Sequence, residues 1–276
     1  MLRCGSKTLD LSRPVVMGVV NVTPDSFSDG GRFLAAEAAV AHGLRLLEEG
    51  AAILDVGGES TRPGAAPVGV EEELRRVVPV VERLHQVAPA AIISVDTGKP
   101  EVIREVIAAG AGLINDVRAL TEPGALEAAA ATDCGVCLMH MQGDPRTMQQ
   151  APSYVDVVKE VKAFLARRVQ TCRAAGVALD RMAIDPGFGF GKTLAHNLEL
   201  LRRLGELTTG GLPVLVGLSR KSIAGTLTGR SAGDRVHGSI ALAVVAAMHG
   251  ARIIRAHDVA ATVDALKVVA AISVEV

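Results

Sequence analysis

Short, strongly apolar, β-branched runs alternate with helical patterns eight times along this chain. Candidate strands are Val15–Val20, Ala52–Val56, Ala91–Val95, Gly112–Ile114, Val136–Met139, Met182–Ile184, Pro213–Gly217 and Arg252–Arg255. Most are too apolar for a sheet wetted on one side and suit strands covered on both faces. Between them, Val40, Leu44 and Leu47 recur at helical spacing, and Gly50 stops that helix. Leu74, Val77, Val78, Val81 and Leu84 form a second stripe; Pro79 sits inside it, so a kink or a late start is expected. Val158, Val161, Leu165 and Cys172 mark a long third helix that ends at Gly176. Eight βα units read as a closed α/β barrel, a (β/α)8 or TIM barrel, with an open doubly wound sheet as the runner-up. The 276 residues show no linker, low-complexity stretch or repeat. One barrel domain over residues 1–276 is therefore expected, since barrels of ~250 residues routinely form one domain.

Composition excludes several classes of function. Lys plus Arg is 29 against 30 for Asp plus Glu, a net charge of -1. That balance gives no electrostatic case for binding nucleic acid or an anionic membrane. Hydrophobic residues reach 49%, too many for a disordered chain. Cys134 and Cys137 have CxxC spacing, but no second pair or His cluster completes a zinc site. With Cys4 and Cys172 they read as buried small hydrophobes in a reducing cytosol. No apolar signal segment follows Met1, and the longest apolar run, Ile240 to Met248, is far too short for a membrane span of ~20 residues. A soluble cytoplasmic protein is expected.

The polar chemistry gathers at one end of the strands. The first strand runs into Asn21-Val-Thr-Pro-Asp-Ser-Phe and the second into Gly57-Gly-Glu-Ser-Thr-Arg-Pro. The third ends in Asp96, the fourth in Asn115-Asp116, the fifth in His140 and the sixth in Asp185-Pro-Gly-Phe-Gly-Phe-Gly-Lys. The seventh ends in Ser219-Arg-Lys-Ser and the eighth in Arg255-Ala-His-Asp. In a barrel, C-terminal strand ends share one face, and that face holds the active site. Each residue also has a plainer reading. Asp96 suits a helix cap near Pro100, Asn115 and Asp185 suit turns, and Glu59 suits solvent. Stability alone does not call for all of them to converge on one rim.

The Gly-rich run 187–192 is not a phosphate loop. Pro186 stands where GxxxxGK[ST] needs glycine, and Lys192 stands where GxGxxG needs its third. Its glycines suit close backbone approach to a ligand. Three of only five phenylalanines, Phe27, Phe188 and Phe190, fall in loops at this rim. Loop aromatics beside glycine backbone suit a planar ring. Asp96, Asn115 and Asp185 suit the N–H edge of a nitrogen heterocycle, such as a 2-amino-4-oxo pyrimidine. Arg62, Lys221, Arg255 and His257 suit phosphate or carboxylate. Asn21 offers a neutral oxygen to Mg²⁺ held mainly through phosphate.

These segments, in this order over nearly the whole chain, resemble the bacterial dihydropteroate synthase family. Met17-Gly-Val-Val-Asn-Val-Thr-Pro-Asp-Ser-Phe-Ser-Asp-Gly-Gly and Asp55-Val-Gly-Gly-Glu-Ser-Thr-Arg-Pro-Gly carry most of the likeness. The resemblance implies a transferase in folate biosynthesis. In its reaction p-aminobenzoate displaces diphosphate from 6-hydroxymethyl-7,8-dihydropterin diphosphate. It implies that Asp96, Asn115, Asp185 and Lys221 hold the pterin, with Met139 and Phe190 along its faces. Thr61, Arg62, Arg255 and His257 would hold diphosphate, and Asn21 would face Mg²⁺. Phe27, Arg62, Pro63, Lys221 and Ser222 would surround p-aminobenzoate, so sulfonamide inhibitors are expected to bind. The loops Val22–Phe33 and Glu59–Val68 would close over the substrates. A homodimer through late helices is implied, and Ser239–Met248 suits either an interface or a core helix.

Other readings stand beside it. A pterin-dependent methyltransferase shares the Asp–Asn–Asp set, and a non-catalytic pterin-binding paralogue shares the fold. An aldolase-like barrel would make Lys221 a Schiff-base lysine, its pKa lowered by Arg220.

Overall fold

The computed structural model describes residues 1–22, 32–60, 64–144, 147–208 and 210–273. An antiparallel hairpin, β1 (Leu2–Cys4) and β2 (Lys7–Leu9), opens the chain, turning at Gly5 with φ 64°. Eight strands follow: β3 (Val15–Asn21), β4 (Ile53–Gly57), β5 (Ile92–Asp96), β6 (Leu113–Asp116), β7 (Gly135–Met139), β8 (Met182–Asp185), β9 (Leu215–Gly217) and β10 (Ile253–Ala256). They pair in the order β8-β7-β6-β5-β4-β3-β10-β9, and every pairing is parallel. A parallel bridge from Ile184 to Val214 joins the two ends and closes the barrel. The expected (β/α)8 fold is the observed one. The seventh strand starts later than its apolar run because Pro213 has no N–H for the ladder; its carbonyl instead accepts from Ile184 N at 3.0 Å.

Helices fill the intervals. In chain order they are α1 (Arg32–Glu48), α2 (Val70–Val87), α3 (Pro100–Ala108), α4 (Ala125–Ala130) and α5 (Val157–Ala174). Next come α6 (Leu194–Arg202), α7 (Gly205–Thr208), α8 (Ser222–Thr228), α9 (Val236–Met248) and α10 (Val259–Ser273). α2 does not begin late: it runs straight through Pro79, whose ring lies on the solvent side. Val77, Val80, Val81 and Leu84 cover the opposite side and are fully buried.

Period-two alternation within each strand divides the core. Val16, Val20, Leu54, Val56, Ile93, Val95, Ile114, Leu138 and Val216 face outward and share one cluster with the helices. Met17, Ile53, Ile92, Leu113, Cys137, Ala183, Leu215 and Ile253, one from each barrel strand, form a second cluster inside it. Leu2, Cys4, Leu9 and Leu11 join that inner cluster, so the hairpin plugs the N-terminal end of the barrel. Full burial of each Leu or Ile contributes about 1.5–3 kcal/mol relative to exposure. Two residues further along the same strands come Val19, Asp55, Ser94, Asn115, Met139, Asp185, Gly217 and Arg255. An apolar floor thus lies beneath a mostly polar layer. All four cysteines are free and buried, as expected.

Candidate active site

The polar layer is built across the strands. Asp55 on β4 is fully buried. Its Oδ1 accepts from Ser94 Oγ at 2.7 Å, and its Oδ2 from Asn115 Nδ2 at 3.1 Å. Arg255 reaches over from β10: its Nε donates to Asp55 Oδ2 at 2.6 Å and its Nη2 to Asp96 Oδ2 at 3.3 Å. One guanidinium therefore binds two carboxylates on adjacent strands. Removing either side of such a buried pair costs about 3–5 kcal/mol, because the other charge is left without a partner. Asp96 pairs in register with Asn115, and Met139 with Asp185. Burial pushes the Asp96 carboxyl above the usual range although Arg255 opposes the shift; Asp55, Asp116 and Glu73 add to it.

Helix capping does not explain Asp96: Lys99 is the cap residue of α3, and no side chain caps that helix. The turn reading of Asp185 is half right. Its Oδ1 accepts from Gly187 N at 2.7 Å, closing an Asx turn, yet the side chain stays beside Lys221. Burial raises its pKa, with Lys221 working against that.

Lys221 opens α8, and its Nζ donates to Phe188 O at 2.5 Å. The same ammonium stands 4.6 Å above the Phe190 ring, a cation–π contact. Burial lowers its pKa to about 8, while Asp185 pulls the other way. Arg220 plays no part in that shift: its guanidinium binds Asp258, Nε to Oδ2 at 3.1 Å and Nη2 to Oδ1 at 2.5 Å. Phe190 forms a small cluster with Met139 and Met148. Phe188 is a correction. It is buried in the strand–helix core, not at the rim, because Gly187 and Gly189 on either side (φ 68° and 81°) turn its side chain inward.

His257, after β10, is oriented by Ser219, which lies 3.0 Å from its Nδ1 and accepts from its backbone N at 3.2 Å. Ser222 is exposed at the start of α8. Asn21 ends β3 with its side chain in solvent, beside Gly57 across the ladder. Among the described residues no cluster of three His, Cys, Asp or Glu could hold a metal ion. A cation here would take most of its ligands from substrate and water, with Asn21 as a neutral oxygen donor. Phe27, Thr61, Arg62 and Pro63 lie outside the described residues, as do residues 23–31 of the first expected lid segment and 61–63 of the second.

Sequence reasoning gave no supporting role to the residues that hold this set in place. Asp55 and Ser94 were legible as the inward alternates of apolar strands. Asp116 accepts from the backbone N of Arg118 at 2.8 Å and of Leu120 at 2.7 Å, shaping the turn after β6. Burial still lifts its pKa to about 6. Glu59 is not simply solvated: Lys99 bridges it to buried Glu73 on α2. Lys192 is 2% exposed and touches His140. Burial, then the Lys192 ammonium, lowers the His140 pKa to about 3.

The comparisons agree with this geometry. Residues 17–257 match the model of the pterin binding enzyme family. Dihydropteroate synthase of Escherichia coli K12 is 58% identical over 264 residues, covering 96% of this chain and 93% of that protein. The structure of Xanthomonas albilineans dihydropteroate synthase with 4-aminobenzoic acid is similar at TM-score 0.90 and 58% identity, covering 97% of this chain and 96% of that one. The Yersinia pestis dihydropteroate synthase structure with a sulfonamide drug complex has TM-score 0.92 and 56% identity, with 97% of each chain covered. By its polar barrel mouth and by these similarities, the chain belongs to the dihydropteroate synthase family of pterin-binding enzymes.

Proposed function

We propose that the mouth of this barrel performs the family's condensation with the residues described above. The amine nitrogen of p-aminobenzoate bonds to the exocyclic methylene of the dihydropterin, the carbon–oxygen bond to diphosphate breaks, and the amine releases a proton. The convergence of Asp96, Asn115, Asp185 and Lys221 around Met139 and Phe190 supports this reading most directly. Asp96, Asn115 and Asp185 meet the N–H edge of the ring, and Lys221 donates to a ring acceptor. The N–H donors offset the cost of keeping buried carboxylates ionised, so the bound ring favours the charged form of Asp96 and Asp185. Those carboxylates in turn favour positive charge on the methylene as diphosphate departs, which suits a dissociative displacement.

Thr61, Arg62, Arg255 and His257 hold the diphosphate in this reading. Phe27, Arg62, Pro63, Lys221 and Ser222 hold p-aminobenzoate, where a sulfonamide would compete. Asn21 would face Mg²⁺, which would supply neutralisation of charge on the diphosphate oxygens. We place the protein in the cytoplasm as a homodimer; no helix among the described residues is long and apolar enough to cross a membrane. The test follows dihydropteroate formation by wild type and Asp185→Asn, with and without Mg²⁺. The expected result is Mg²⁺-dependent product that falls about ten- to hundredfold in the variant, the worth of a hydrogen bond to a charged group. Wild-type protein that binds the pterin diphosphate but releases no diphosphate would sink the proposal.

A further inference from the structure

Side chains hold all five carbonyl oxygens of the loop Gly187–Gly191. Lys221 Nζ donates to Phe188 O at 2.5 Å, Gln149 Nε2 to Gly189 O at 2.5 Å, and Tyr154 Oη to Gly191 O at 2.8 Å. Lys192 takes the other two, Gly187 O and Phe190 O, both at 2.9 Å. Its third near partner is His140 Nδ1 at 3.0 Å. His140 O lies further off at 3.4 Å; an ammonium has three donors and no acceptor, so the three shorter contacts use them all. The loop has no strand or helix ladder to fix its shape. Gly187, Gly189 and Gly191 all have positive φ, at 68°, 81° and 60°. A Cβ on Gly187 would lie 1.9 Å from His140 O, so the backbones touch there and only glycine fits. Lys192 is buried, which is costly for a cation without compensating partners. Burial lowers its pKa to about 7, with Asp185 opposing.

We propose that Lys192 is a positioning residue for the pterin ring: its ammonium ties Gly187 O, Phe190 O and His140 together, and so sets the Phe190 ring and the Asx turn on Asp185. The inference rests on this face being the pterin site. The role is one of position, since Lys192 itself lies beneath the loop and out of solvent.

The test compares wild type with Lys192→Met, which fills the same space without donors, and Lys192→Gln, which keeps two N–H donors. Calorimetric binding of the pterin diphosphate alone is measured, then KM for p-aminobenzoate at saturating pterin. The expected result is a Kd raised about tenfold in the Met variant, or about 1.4 kcal/mol, a smaller rise in the Gln variant, and KM for p-aminobenzoate within about twofold of wild type. Unchanged pterin affinity in both folded variants, or an equal loss for both substrates, would overturn the proposal. The Gln variant decides the matter if the Met variant does not fold. Wild type that binds pterin yet forms no dihydropteroate would overturn the functional reading instead, while the binding comparison still decides Lys192.

Discussion

A lysine ammonium set between the Phe188 carbonyl, the Phe190 ring and Asp185 does not titrate like one in water. Burial removes hydration that the charged form needs, and Asp185 restores only part of it, leaving a pKa of about 8 for Lys221. The sign follows directly. The folded value lies below the unfolded one, so the charged form weakens the free protein at neutral pH, and that weakness fades as pH climbs above about 8. The charge behind donation from Lys221 to a ligand acceptor is lost as pH rises through about 8. In wild type, kcat/KM for the pterin diphosphate is expected to fall on the alkaline side with an apparent pKa near 8. Lys221→Arg keeps its charge throughout. Its profile, whatever its height, should lack that alkaline limb; a limb that survives in the variant belongs to another group.

At the scale of elements, the eight barrel strands were legible to within one or two residues because each pairs a β-branched run with a glycine or a polar stop; the N-terminal hairpin β1–β2, two three-residue strands, was not read. Three helix stripes, those of α1, α2 and α5, were legible as well; the shorter helices between the later strands were not read. What the stripe could not decide was the consequence of Pro79. That ring lies on the exposed side of α2, where the carbonyl left without a donor can turn to water. Proline costs ~3 kcal/mol against alanine in a helix interior, and its restriction of the unfolded chain returns up to ~1 kcal/mol. Pro79→Ala is therefore expected to stabilise the protein by about 2 kcal/mol at most, read as a higher urea midpoint at unchanged slope. A lower midpoint would show that the proline shapes the α2 curvature the core requires.

On the whole molecule, four exposed large apolar side chains gather on one pair of neighbouring helices. Val245 and Met248 on α9 and Val268 and Ile272 on α10 are exposed, at 39%, 67%, 60% and 75%. α9 is also buried on its other side through Leu242, Ala243 and Ala246, so the stretch Ser239–Met248 serves the core and leaves a second face outward. If this face joins two copies, Val268→Glu should shift the sedimentation coefficient from dimer to monomer without loss of helical circular dichroism. A dimer that persists in that variant would place the interface elsewhere. The plugged end of the barrel explains why chemistry collects at the other. The hairpin seals the apolar floor, and ionisable groups are left to the open mouth.

The sequence by itself determined the repeat of βα units, the strand ends that carry polar residues, and the aspartates, asparagine and lysine at the mouth. Those features are local: they rest on period, turn chemistry and order along the chain. Only tertiary structure decided which groups share a partner. Arg255 and Asp55 lie 200 residues apart in sequence and meet only because β10 and β4 curve around one axis. Phe188 and Phe190 look alike on paper, and alternating positive-φ glycines send one into the core and leave the other beside Lys221. Lys192, which reads as a spoiled glycine motif, is a buried cation because Met139–His140 and the loop after β8 fold against each other. Pairing energy and burial depend on distances through space, and a sequence records only distances along the chain.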